Sequence, residues 1–266
     1  GHLREGLRGV GDKAIISTKT HSRTPDLAQI DFEASLKELD REYIDIYHLH
    51  LVHSTQDLAE RRGVLDLFLD LKQHGLIRAI GASVHKVEGA RAVVAERDID
   101  VLFPVLNSQG LGIIDGSIDD MIEVCRRAEA RGMGIYAMKP LAGGHLRESP
   151  KEPFQYLRNL GFVDSICVGM KSPAEVEMNV SILEEREVSE ETLSQIETAS
   201  RTLTIYDRCV GCGACVETCP QEALHLDISQ TDESKGKKGQ SIVDMGKCIL
   251  CGYCAEACPE FVIRII

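Results

Sequence analysis

The chain has 266 residues, 43% of them hydrophobic and 27% charged, which excludes a disordered or collagen-like polypeptide. Thirty Lys and Arg against 42 Asp and Glu give a formal net charge of −12, and without a basic stripe this excludes nucleic acid as a partner, because its phosphates demand clustered cations. No apolar run approaches the roughly 20 residues of a bilayer span, and the charged start Gly1-His2-Leu3-Arg4-Glu5 is not a signal peptide, so no membrane association and a cytoplasmic, reducing location are expected.

Along the chain, aliphatic or β-branched runs alternate with amphipathic stretches. Strands are predicted at Ala14–Thr18, Ile44–Leu51, Ile77–Val84, Val101–Leu106, Gly134–Met138 and Ser165–Gly169. Their starts recur about every 30 residues, the length of a βα unit. Thr24-Pro25 and Ser172-Pro173 read as N-cap and first-turn Pro, and Gly75 and Gly132 sit where helices end. A further helix is predicted over Val188–Ser200.

Six such units with no hairpin between them imply a parallel sheet covered by helices. A doubly wound sheet would carry G-x-G-x-x-G after its first strand. Gly110-Leu111-Gly112 is followed by Ile113, Ile114 and Asp115 instead. An eight-stranded barrel fits the strand-end chemistry better, and its two missing βα units are expected before Gly1.

Near residues 202–206 the pattern changes, and eight of the ten cysteines fall between Cys209 and Cys258. Cys125 and Cys167 lie elsewhere and read as core residues. The polar run from Ser229 to Gln240, with Lys235, Lys237 and Lys238, reads as a solvated hairpin loop.

Cys209-x2-Cys212-x2-Cys215-x3-Cys219-Pro220 is repeated as Cys248-x2-Cys251-x2-Cys254-x3-Cys258-Pro259. Three thiolates on a tight turn each reach a different iron of one cube, and the Cys before Pro ligates the other cube. Cys209, Cys212, Cys215 and Cys258 are thus expected to hold one [4Fe–4S] cluster, and Cys248, Cys251, Cys254 and Cys219 the second. Zinc ribbons are the bland alternative, but they need two pairs rather than a triplet plus a distant Cys-Pro. Residues 206–266 resemble bacterial two-cluster ferredoxins, a small α+β fold.

Two strand ends carry polar residues: Ser17-Thr18-Lys19-Thr20, and Tyr47-His48-Leu49-His50. In a barrel, the C-terminal strand ends form the active-site face, so polar residues there read as catalytic. By period-2 alternation His48 and His50 point the same way, with His50 nearer the mouth. His48-x-His50 also permits a metallohydrolase reading, but no later strand end supplies a His pair.

Over about residues 1–200 the sequence resembles the aldo/keto reductase superfamily, (β/α)8 TIM barrels that reduce carbonyls with a nicotinamide cofactor, and in particular an iron–sulfur branch with a ferredoxin-like tail. The resemblance rests on Thr18-Lys19, on the run Ser35 to His50, on Ile80-Gly81-Ala82-Ser83, and on Met138 to Gly144. It implies Lys19 and His50 as catalytic residues. It implies NADP or NAD as cofactor, with contacts from Ser83, Asn107, Lys139, Pro140, Leu141, Gly143, Gly144, Gly169, Lys171, Ser172, Glu175 and Asn179. Val84 stands where the family carries the carboxamide-binding Asn, and Phe103 where many members carry Gln. The family's proton-donating Tyr and its Asp fall upstream of Gly1, and none of Tyr43, Tyr47 or Tyr136 matches the Tyr.

The expectation is therefore an α/β chain with six of eight barrel units over residues 1–201 and a two-cluster domain over 206–266. It would be an oxidoreductase acting on a small carbonyl or alcohol, with a redox partner protein for the clusters. A degenerate barrel serving only electron transfer is the alternative.

Overall fold

The computed structural model describes residues 2–10, 13–147, 149–196, 202–232, 234, 236–260 and 262–265. A short helix α1 (His2–Gly6) precedes β1 (Ser17–Thr20), α2 (Pro25–Leu39), β2 (Ile44–Leu49), α3 (Thr55–Glu60), α4 (Arg62–Gln73), β3 (Ile77–Val84) and α5 (Val87–Ala95). There follow β4 (Val101–Pro104), α6 (Ile118–Ala130), β5 (Gly134–Met138), α7 (Lys151–Asn159), β6 (Ser165–Cys167), α8 (Pro173–Leu183) and α9 (Glu190–Ser194). The last elements are β7 (Leu203–Ile205), α10 (Ala214–Thr218), β8 (Leu224–Asp227), β9 (Gln240–Val243), α11 (Tyr253–Ala257) and β10 (Ile263–Ile265).

The six predicted strands form one parallel sheet in the order β1-β2-β3-β4-β5-β6. Among the described residues β1 and β6 are its edges and no pairing joins them, so the six units expected in this chain stand as a half-barrel of six parallel strands. Cys167, expected in the core, is instead exposed on β6, an edge strand among the described residues, whereas Cys125 on α6 is fully buried as expected.

Helix ends follow their local chemistry. Pro25 opens α2 after Thr24 in extended conformation, and the Ser172 hydroxyl accepts from Glu175 N at the start of α8. Gly75 and Gly132 both take positive φ, +74° in each case, just beyond α4 and α6. The predicted helix over Val188–Ser200 is shorter, α9 ending at Ser194, and its residues 197–200 lie outside the described residues. Lys235 also lies outside them, but the run around it is the connection between the antiparallel β8 and β9, as predicted.

The chain divides into two compact units, Gly1–Pro140 with Gln155–Val168, and Leu141–Phe154 with Gly169–Ile266. The first is packed by the inner faces of β2 to β5 and the helices over them, with Ile44, Tyr47, Leu49, Phe68, Ile80 and Leu102 fully buried. The second has a small core in which Leu203, Leu224, Val262 and Ile263 pack among cysteines.

Candidate functional site

In the first unit His50 directly follows β2 and is fixed through its backbone. Its N–H donates to Thr20 O at 3.0 Å, and its carbonyl accepts from Arg61 Nη1 at 2.9 Å. Arg61 is itself buried and paired with Asp57 at 2.8 Å. Asp57 also accepts from the His53 backbone and from Arg23. The His50 ring lies 3.8 Å, centroid to centroid, from His21. Burial pushes the His50 pKa down to about 3, and the charges of His21, Lys19, Arg61 and His48 push in the same direction. The imidazole is therefore neutral near pH 7, suited to donating a hydrogen bond to a carbonyl oxygen rather than a proton. Lys19, exposed on edge strand β1, is paired in register with His48, and its charge adds to the burial that lowers His48 and His85.

One group was missed by the sequence reading. Tyr136 on β5 places its hydroxyl 2.7 Å from His48 Nε2 and 2.7 Å from Ser17 Oγ. Burial holds Tyr136 at about 12 and His48 at about 3, so both are neutral. His48 Nδ1 is buried without a partner. A bare lone pair costs less there than an orphaned N–H, which assigns the proton to Nε2 donating to Tyr136, and the Tyr136 hydroxyl to Ser17. Space for the imidazole comes from Gly81, where a Cβ would stand 2.3 Å from the ring. Phe103 stacks on Tyr136 at 3.9 Å. The available signal was His48 itself, a polar side chain in a strand otherwise buried on both faces.

Of the residues implied as cofactor contacts in the first unit, Ser83 is buried and its hydroxyl accepts from Leu51 N. Asn107 is committed to the chain itself. Its Nδ2 donates to Leu111 O and Lys139 O at 2.9 and 3.3 Å, and its Oδ1 accepts from Gln109 N and Leu111 N. It holds the 107–111 loop, and no polar atom of its amide is left over for a carboxamide. Lys139 takes positive φ (55°) ahead of buried Pro140.

In the second unit, Leu141 leads into a 3-10 turn, Ala142–Gly144. Gly143 has φ +69°, and a Cβ there would stand 3.0 Å from the carbonyl of Ile249 and 3.1 Å from that of Leu250, so only glycine fits against the second cysteine loop. At the start of α8, Glu175 accepts from Lys171 N at 2.6 Å, beyond exposed Gly169. Asn179 is 3% exposed, and its Oδ1 has no hydrogen-bond partner.

The cysteines gather in this unit. Gly213 (φ +82°) and Gly252 (φ +89°) initiate α10 and α11 in a conformation costly for other residues, turning each Cys loop into its helix. Cys209, Cys215, Cys254 and Cys258 are buried in one core. A cavity is lined by Cys219, Cys248, Cys251 and Cys254, with Leu203, Gln221 and Tyr253 among the other residues of its wall. Burial raises the Cys215 thiol, and Cys209 and Cys212 raise it further; Cys248 is raised by burial and by Cys251 and Cys219. Thiols so crowded ionise together only around positive charge, which an iron core supplies, so the residues fit such a group. Among the described residues no three His, Cys, Asp or Glu side chains converge on a point as a single metal ion requires.

Comparison with known proteins defines the class. Residues 3–161, more than half of the chain, match the aldo/keto reductase family, and residues 208–264 match the 4Fe-4S dicluster domain. The chain belongs to the aldo/keto reductase family. Similar solved structures include the aldo-keto reductase AKR11C1 from Bacillus halodurans in its holo form, 18% identical with TM-score 0.57, covering 74% of this chain and 77% of that one. A putative aldo-keto reductase from Pseudomonas aeruginosa is 25% identical with TM-score 0.58, covering 69% of each chain. A reductase domain joined to a dicluster domain is the make-up of an oxidoreductase with an electron-transfer module. No helix among the described residues is long and apolar enough to cross a membrane.

Proposed function

We propose that the protein is a nicotinamide-dependent iron–sulfur oxidoreductase, interconverting a small carbonyl compound and its alcohol. Cys209, Cys212, Cys215 and Cys258 hold one [4Fe–4S] cluster, and Cys248, Cys251, Cys254 and Cys219 the other. The observation that carries this reading is His50, a neutral imidazole anchored by Thr20 and Arg61 at a strand end beside Lys19.

NADP or NAD supplies the hydride in such chemistry. The adenosine end of the nucleotide fits, because the buried Asn179 Oδ1 awaits a donor next to the Ser172 cap and Glu175. Lys171 is the group for a 2′-phosphate. The carboxamide end fits poorly, since Val84, Phe103 and the committed amide of Asn107 leave Ser83 as the remaining polar contact. The chain's own part is to orient and polarise. His50 donates a hydrogen bond to the carbonyl oxygen, the Lys19 cation stabilises negative charge developing on it, and the proton that completes the alcohol is taken from water. The clusters exchange single electrons with a redox partner protein, and the reducing cytoplasm is the compartment we infer.

The test uses the full protein with its clusters intact and NADPH- or NADH-linked reduction of a panel of small aldehydes and ketones. His50→Ala is expected to lower kcat/KM by about 10²-fold or more; unchanged turnover overturns the assignment. The committed Asn107 favours a second reading, an electron-transfer protein on a degenerate barrel. That reading wins if neither nucleotide binds in a fluorescence titration while the clusters reduce reversibly.

A further inference from the structure

The two cysteine loops are related by an internal repeat, and the strands around them keep its register. Leu226 stands seven residues after Cys219 and pairs with Ser241, while Ile265 stands seven after Cys258 and pairs with Leu203. Ser241 and Leu203 are therefore equivalent positions on β9 and β7. Both are buried, at 3% and 5% exposure, and each stands at a cysteine site. Their chemistry differs: Ser241 Oγ lies 3.0 Å from Cys215 Sγ, whereas Leu203 puts only methyl groups into the wall of the cavity formed by Cys219, Cys248, Cys251 and Cys254.

We propose that the Ser241 hydroxyl sets the reduction potential of the cluster held by Cys209, Cys212, Cys215 and Cys258 above that of the other, so that the first electron entering the pair rests there. This rests on the cluster assignment made above. A cluster ligand is a thiolate, so in the holoprotein the Ser241 O–H donates and Sγ accepts. Reduction adds one electron to a [4Fe–4S]2+ cube from an external one-electron donor, with no bond broken and no proton moved. The added charge falls partly on the ligand sulfurs, so a hydrogen bond to Sγ stabilises the reduced cube more than the oxidised one and raises its potential. Burial strengthens the effect by keeping competing water away. At the other site, Cys219 Sγ accepts from the Ala223 backbone at 3.3 Å, a contact that side-chain substitution does not remove, and Leu203, at the position equivalent to Ser241, carries no donor.

The experiment is a dithionite titration of the full holoprotein, followed by electron paramagnetic resonance. Two unequal midpoints are expected in the parent. Ser241→Ala lowers the upper one by the equivalent of about tenfold in the electron's distribution, about 59 mV for a one-electron couple, and leaves the lower one in place. Ser241→Thr, which keeps the hydroxyl, restores the upper midpoint, and Leu203→Ser raises the lower one. Iron and sulfide analysis accompanies each variant. In the parent, an exchangeable proton coupled to the first-reduced cluster, seen by electron–nuclear double resonance, supports the proposal without any substitution. Absence of that coupling, or unmoved midpoints in Ser241→Ala with full iron content, overturns it. A parent chain that fails to take up eight irons overturns the cluster assignment instead.

Discussion

In the six-stranded unit the buried side chains are aliphatic and aromatic, running from Ile44 and Tyr47 through Phe68 to Leu102, and they satisfy one another by contact. In the cysteine unit four of the nine buried core residues among those described are Cys209, Cys215, Cys254 and Cys258. Its strands are three or four residues long and its two sheets have two strands each, a size that is marginal in water unless something else joins the parts. The contrast teaches that the same chain folds by two rules. One unit is ordered by apolar burial, and the other, on the cluster assignment proposed above, would take its order from metal binding, where ligation energy is folding energy.

The largest expected effect follows directly. Stripping iron with a chelator under air should remove amide protection from β7 to β10 while β2 to β5 stay protected, as read by hydrogen exchange and mass spectrometry. Protection surviving in Leu224–Asp227 after iron loss would break the comparison, because it would show a core that stands without its clusters.

Within the first unit one of the exceptions to apolar packing is the Asp57–Arg61 pair. Asp57→Ala leaves the Arg61 guanidinium buried with its charge uncompensated, and a loss of about 3–5 kcal/mol is expected in denaturant unfolding. Arg61 also holds the His50 carbonyl, so the same substitution should shift the His50 ring resonances. Asp57→Asn, which keeps the acceptor for the His53 backbone, should lose less. Equal losses would show that the charge, not the backbone contact, is what the carboxylate supplies.

Much of this was legible in the sequence. Strand periodicity located all six strands of the sheet, Ser172-Pro173 located the start of α8, and the doubled cysteine spacing located the loops that the structure brings into one core. Asn107 was read from its position in a family pattern, while its amide is consumed by its own loop, a matter of hydrogen bonds four residues apart. Tyr136 was judged against a sequence position and so passed over. Its meeting with His48 and Ser17 spans β5, β2 and β1, a coincidence in space that no local spacing encodes.

The smallest effect is that of a single histidine in acid. His48 and His85 are the buried histidines among the described residues, both in the first unit, and with His50 they are held at about 3, 2 and 3 respectively, chiefly by burial. In the unfolded chain each titrates near 6.5. Above that pH neither state binds the proton and the contribution of these groups is fully present. As pH falls below about 6.5 the unfolded state takes up protons that the folded state refuses, so stability declines toward the folded values near 3. Each histidine adds a slope approaching about 1.4 kcal/mol per pH unit in that window. Unfolding midpoints of the first unit between pH 7 and 4.5 should therefore fall, and His48→Gln, which keeps a donor for Tyr136, should reduce the slope by about one proton. A slope unchanged in His48→Gln would mean that the imidazole is protonated in the folded state as readily as in the unfolded one. Nδ1 would then have found a partner, and the neutral His48–Tyr136–Ser17 chain would not be the arrangement in solution.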